Sequence, residues 1–196
     1  MDPLLLAVVF VFLASFLLNI SPFVGAPYTL LATLQLTLLG FSLLNFAFVV
    51  LISAIGATVA KVVVYYGGLG FKGFLVRNRN VRLMGKYSST QGFYLILFVA
   101  ALIPLFPFDD LIYVGAGATS ASLGLMVSVT LWAKVIKSLV EIALEFTIFR
   151  GLATAFRNNQ VELTIVLTAA FLMIGVLAFS VDWESGLKRI GVLPPA

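Results

Sequence analysis

The chain has 196 residues, of which 62% are hydrophobic and 10% charged, with a mean hydropathy of +1.15 and a net charge of +4. Soluble domains carry about 25% charged residues, so this composition excludes an ordinary soluble domain and leaves room for one compact membrane domain over 1–196. Cysteine and histidine are absent, which removes disulfides, thiol nucleophiles, imidazole bases and the usual zinc sites.

The first 60 residues are almost free of charge. From Pro3 to Ala60 there are 58 positions without a charged side chain, where one span needs about 20. Leu4 to about Ile20 reads as a first span, retained rather than cleaved, because no basic n-region precedes it and the apolar character continues beyond it. Asn19, Ser21 and Pro22 are break signals. The stretch from Pro22 through Gly25 to Pro27 punctuates apolar surroundings, and Tyr28 to about Gly40 is too short to span comfortably. The simplest packing is a re-entrant hairpin with its tip near Gly25 to Pro27; an ordinary loop between spans is the plainer reading. Phe41 to Tyr66 is the next span and carries Gly56 and Lys61.

Gly67 to Gln91 holds Lys72, Arg77, Arg79, Arg82 and Lys86 and no acidic residue. The positive-inside bias places this loop, 72–86, in the cytoplasm of a multi-pass cell-membrane protein. Phe71, Phe74, Leu75, Val81, Leu83 and Met84 alternate with those cations. That pattern suggests short interfacial helices on anionic headgroups, with a plain solvated loop as the alternative.

The stretch Ile103-Pro-Leu-Phe-Pro-Phe-Asp-Asp110 is the centre of the reading. Pro104 and Pro107 cannot both sit in an unbroken helix, and Asp109 and Asp110 follow at once inside apolar surroundings. Broken backbone in a bilayer is tolerated only where protein buries it or water reaches it. Gly92 to about Ala121 is therefore expected to be a second re-entrant hairpin. Leu123 to Phe149 is long enough to span, yet contains Lys134, Lys137, Glu141 and Glu145, spaced to fall on one helical stripe. A polar connector follows, and 161–181 reads as a last span.

A charge at mid-span costs about 2.5–3.5 kcal/mol. Lys61, Asp109, Asp110, Lys134, Lys137, Glu141 and Glu145 would together cost on the order of 20 kcal/mol if each stood alone at the centre. Pairing, a water-filled cavity, or both are implied. The expected arrangement is a polar cavity between hairpin tips, with Asp109 and Asp110 paired to Lys134 or Lys137 and Lys61 completing the set. Lys61 lies near a span end and can instead snorkel to the interface. Adjacent aspartates are expected to point in different directions. A buried network that only fixes packing is the competing explanation.

Two halves resemble each other. Ala60-Lys61-Val62-Val63 recurs as Ala133-Lys134-Val135-Ile136, and each follows a two-proline motif and an apolar return. The repeats are placed at 4–70 and 92–150, separated by the basic loop 71–91. Interrupted segments at matching positions of two halves point to a midplane binding site. With the N-terminus inside, the pattern predicts about four spans and two facing re-entrant hairpins, all helical. Arg150 and Arg157 then fall outside, which argues for the alternative of a second hairpin that crosses fully.

At these residues the chain resembles the DedA family, also called the VTT or SNARE-associated domain. Gly56…Lys61-x-x-x-Tyr65-x-Gly67 is similar to that family's Gly…Asp-x-x-x-Tyr-x-x-Gly segment. Gly92…Leu102-Ile-Pro104…Gly115-Ala-Gly117 is similar to its second-hairpin segment. The resemblance covers roughly residues 20 to 150 and implies two facing re-entrant hairpins in an inverted repeat. Departures are clear: Pro22 to Thr37 carries no acid, Lys61 stands at an acidic position, and Asp109 and Asp110 replace arginines expected near the proline. The resemblance implies transport of phospholipids or polyprenyl phosphates, as a flippase or scramblase, by a divergent member.

The leading expectation is thus a lipid transporter, with membrane lipids and protons as candidate partners. A proton-coupled exporter of small molecules or ions is the alternative, and a purely structural membrane protein the third. No enzyme activity, cofactor, metal or nucleic-acid partner is expected; oligomeric assembly is left open.

Overall fold

The computed structural model describes residues 3–20, 28–77, 88, 90–103 and 108–152, with isolated positions at 162, 165–166, 169–170 and 173. Pro22, Gly25, Pro27, Pro104 and Pro107, the basic residues 79–86, and most of the expected last span 161–181 lie outside the described residues. Seven helices are seen among the described residues, and no strand: α1 (Pro3–Ile20), α2 (Tyr28–Leu39), α3 (Leu43–Gly70), α4 (Lys72–Leu75), α5 (Gln91–Leu102), α6 (Phe108–Thr119) and α7 (Leu123–Leu152).

Local chemistry sets the boundaries. Gly40 takes a φ of 80° after α2, a left-handed conformation that glycine adopts without Cβ strain. Ser42 then caps α3, its Oγ accepting from the Asn45 N–H at 3.0 Å. Thr90 caps α5 in the same way, accepting from Phe93 N–H at 3.3 Å. Ser120, at φ 59°, closes α6, and Ala121 N–H returns to the Ala116 carbonyl at 3.0 Å.

Contacts fix the helix directions. Asn19 meets Lys61 and Phe12 meets Gly56, so α1 runs parallel to α3. Val50 shares a core cluster with Ile142, while Lys61 and Lys134 both reach Asp109, so α3 and α7 are antiparallel. Tyr28 bonds to Ser138 and Thr33 to Glu145, so α2 runs with α7 and against α1. Tyr113 bonds to Thr130 and Asp109 pairs with Lys134, so α6 runs against α7; α5, with Ile103 beside Lys137 and Phe93 and Leu97 clustered with Met126, runs with it. The chain therefore folds twice into two short antiparallel helices followed by a long one, and the two long helices are opposed.

The long helices are α3 and α7, both long and apolar enough to cross a membrane. Their outer faces carry Leu44, Leu51, Ile55, Val63, Leu125, Trp132, Ile136 and Leu144, all exposed. Their inner faces bury Ser53, Thr58, Lys61, Thr130, Lys134, Ser138 and Glu145. Apolar outside and charged inside is compatible with a helical membrane protein, where burying apolar side chains gains little and polar groups must be paired internally.

Where α3 crosses α6, two glycines remove the side chains in the way. A Cβ on Gly68 would overlap the Val114 backbone, and one on Gly117 the Tyr65 backbone. Small residues at such crossings let backbones approach closely. Tyr65 ties the same crossing to the α6–α7 turn, its hydroxyl donating to the Ala121 carbonyl at 2.7 Å. Gly117→Ala is expected to lower stability by about 1–3 kcal/mol, the usual cost of overpacking. Gly124→Ala, which meets nothing within 4 Å, is expected to be neutral or slightly stabilising, by up to about 1 kcal/mol. Circular-dichroism melting in detergent compares the two; equal loss would contradict the close crossing.

Candidate functional site

The buried charges gather between the ends of the short helices. Lys61 comes from α3, nine residues before Gly70, and Lys134 from α7, eleven residues after Leu123. At about 1.5 Å per residue both lie about 14–17 Å from those helix ends, well inside each helix. Asp109 and Asp110 occupy the first turn of α6. There the unpaired N–H groups and the helix dipole favour carboxylates.

Lys134 Nζ lies 2.8 Å from Asp109 Oδ2, and Lys61 Nζ lies 3.6 Å from the same oxygen. Lys61 also pairs with Asp110 Oδ1 in close contact and sits 3.4 Å from the Asn19 carbonyl. All four charged residues are at most 3% exposed. Two ammoniums and two carboxylates cancel, so the quartet is neutral as a unit. Lys61 is therefore not snorkelling. Its chain turns into the bundle because two carboxylates there outweigh the reach to an interface. Asp109 and Asp110 do not diverge either. They are one residue apart on a first helical turn, and the flexible lysine between α1, α3 and α6 reaches both.

Lys137 takes no part in the quartet. It lies one turn further along α7, with Nζ 3.9 Å from Glu141 Oε1, 3.4 Å from the Ile103 carbonyl, and 6.0 Å from the Tyr28 ring centroid. The Lys137 and Glu141 side chains keep 11% and 23% of their surface exposed. This loose pair keeps more exposed surface than the quartet. Of the expected partners for the aspartates, Lys134 and Lys61 are confirmed by geometry, and Lys137 is not.

Below this pair the polar stripe continues. Thr29 Oγ1 is 3.1 Å from Glu141 Oε2 and 2.7 Å from Glu145 Oε1, and Thr33 Oγ1 is 2.7 Å from Glu145 Oε2. Tyr28 Oη and Ser138 Oγ are 3.1 Å apart. Tyr28, Thr29, Thr33, Ser138 and Asn19 escape a search of the sequence for charges. The signal was the four-residue spacing of Thr29, Thr33 and Thr37 within an uncharged helix.

Among the described residues no group of three or more acidic side chains is placed to hold a metal ion. No family model, curated protein or solved structure matches this chain.

Removing one member of the quartet leaves a buried charge without its partner. Lys134→Met and Asp109→Leu are each expected to cost about 3–5 kcal/mol, and the double variant much less than their sum. A double-mutant cycle by chemical denaturation of the detergent-solubilised protein measures this; additive losses would show that the pair does not couple.

Proposed function

We propose that the chain is a membrane lipid transporter of DedA type, moving the headgroup of a phospholipid or polyprenyl phosphate through a polar cleft between two re-entrant hairpins. The observation that carries this reading is the placement of the charges. A neutral buried quartet lies where two pairs of short helices end beside two long apolar helices, and a loosely paired, partly exposed Lys137–Glu141 adjoins it. In this reading α1–α2 and α5–α6 are the hairpins, each entering from one side, which makes α1 a hairpin arm where the sequence suggested a first full span. α3 and α7 are the spans that follow them, antiparallel as an inverted repeat requires.

The division of labour follows from pairing. Lys61 and Lys134 are neutralised by carboxylates and hold the tips together. Lys137 is held by one carboxylate at 3.9 Å and is free to exchange it for a phosphate, a charge-assisted contact of the stronger kind. The apolar outer faces let acyl or polyprenyl chains stay in hydrocarbon while the headgroup crosses. A polar path through the bundle lowers the cost of carrying a charge through the bilayer centre.

Purified protein in liposomes tests the reading with fluorescent phospholipids and a fluorescent polyprenyl phosphate. Wild type is expected to speed transbilayer movement of at least one. Lys137→Gln is expected to slow it at least tenfold with unchanged helicity. Movement of neither lipid by folded wild type would turn the reading toward a proton-coupled exporter of small molecules or ions, which the same variants would then test by solute flux.

A further inference from the structure

Glu145 stands apart from the other buried charges. It is 6% exposed, and among the described residues no lysine or arginine nitrogen lies within 4.0 Å of its carboxyl group. Each of the other six has an opposite charge within that distance. The full set contains three cations and four carboxylates, so with all ionised the buried face would hold one uncompensated negative charge. An ionised carboxyl buried without a cation is expensive enough that the group neutralises instead.

The hydroxyl count leads to the same place by a separate route. Thr29 Oγ1 lies within hydrogen-bonding distance of both Glu141 and Glu145, and a hydroxyl has one proton to donate. If both acids are ionised, one of these contacts sets lone pair against lone pair. One arrangement satisfies every group. The Glu145 acid donates from Oε1 to Thr29, Thr29 donates to Glu141, and Thr33 donates to the remaining Glu145 oxygen. Glu141 keeps its negative charge and its partner Lys137. Placing the proton on Glu141 instead would leave the charge on the group without a cation.

We infer that Glu145 is a proton-binding site, occupied at rest, and that losing the proton releases α2 from α7. On deprotonation the acid O–H bond breaks, the proton passes to water, and the carboxylate keeps Thr33 as a donor but has no cation. Thr29 then faces two anions with one hydrogen. The contact between α2 and α7 rests on these threonines, on Tyr28–Ser138, and on Ala32 and Leu36 packed with Ile142. The charged groups nearest Glu145 are Glu141 and Lys137 of α7; α2 presents Thr29 and Thr33, and the quartet lies about three turns away along α7. The switch belongs to the bundle, whatever it moves, so it stands apart from the transport reading.

The chain has no cysteine, which gives a clean background for labelling. Spin labels at Leu38→Cys and Ile148→Cys, both exposed, report the α2–α7 distance in nanodiscs. The distance is expected to be short and narrow at low pH and longer at high pH, and to stay short at all pH in Glu145→Gln. Infrared difference spectra are expected to show a protonated-carboxyl band that disappears in Glu145→Gln and persists in Glu141→Gln. A band that survives in Glu145→Gln and disappears in Glu141→Gln, or a distance unaffected by pH in wild type, would overturn the proposal. Failure of lipid transport in liposomes would leave both measurements readable.

Discussion

Four charges that hydrocarbon would reject singly share one place in this protein, and the helices are arranged to bring them there. Lys61 and Lys134 come from opposed long helices, and Asp109 and Asp110 from the first turn of a short one. None can stay ionised in a dry interior without a partner. Because the quartet cancels only when α3, α6 and α7 all meet, it acts as a registration device. Sliding α6 by one turn, about 5.4 Å, would part both carboxylates from both lysines. The glycine crossing at Gly68 and Gly117 serves the same contact from the other end of α6. A larger residue there would push α6 away from α3 and lengthen the reach to Lys61.

The polar stripe of α7 divides into parts with different properties. Lys134 is buried and tightly paired. Lys137 and Glu141 are loosely paired and partly exposed, and Glu145 is buried beside hydroxyls alone. The pattern changes from tight ion pairing to loose ion pairing to a carboxyl without a cation over three helical turns. Such a gradient is what a bundle needs if one part must hold its shape while another meets a ligand.

Much of the architecture was legible in the chain. The 58 uncharged positions and the long apolar runs around Lys61 and Lys134 already indicate apolar helices. The charge total already requires pairing, because its cost exceeds what a small domain tolerates. The particular partners were not legible. Helical spacing along α7 places Lys134 and Lys137 on adjacent parts of one face, and both are equally good candidates for the aspartates until the turn of α6 chooses between them. The threonines of α2 were invisible for another reason: an uncharged hydroxyl in an apolar helix most often bonds back to its own backbone, as Thr37 does to the Thr33 carbonyl at 2.7 Å.

The sequence by itself determined the apolar, helical character of the chain and the fact that buried charge must cancel. These follow from composition and spacing, which act locally. The tertiary structure alone decided which charges cancel, that Lys61 turns inward, that both aspartates serve one lysine, and that Glu145 has hydroxyls in place of a cation. Those outcomes depend on distances between residues 25 to 116 positions apart in the chain, and electrostatic energy in a low-dielectric interior depends on such distances far more than on residue type.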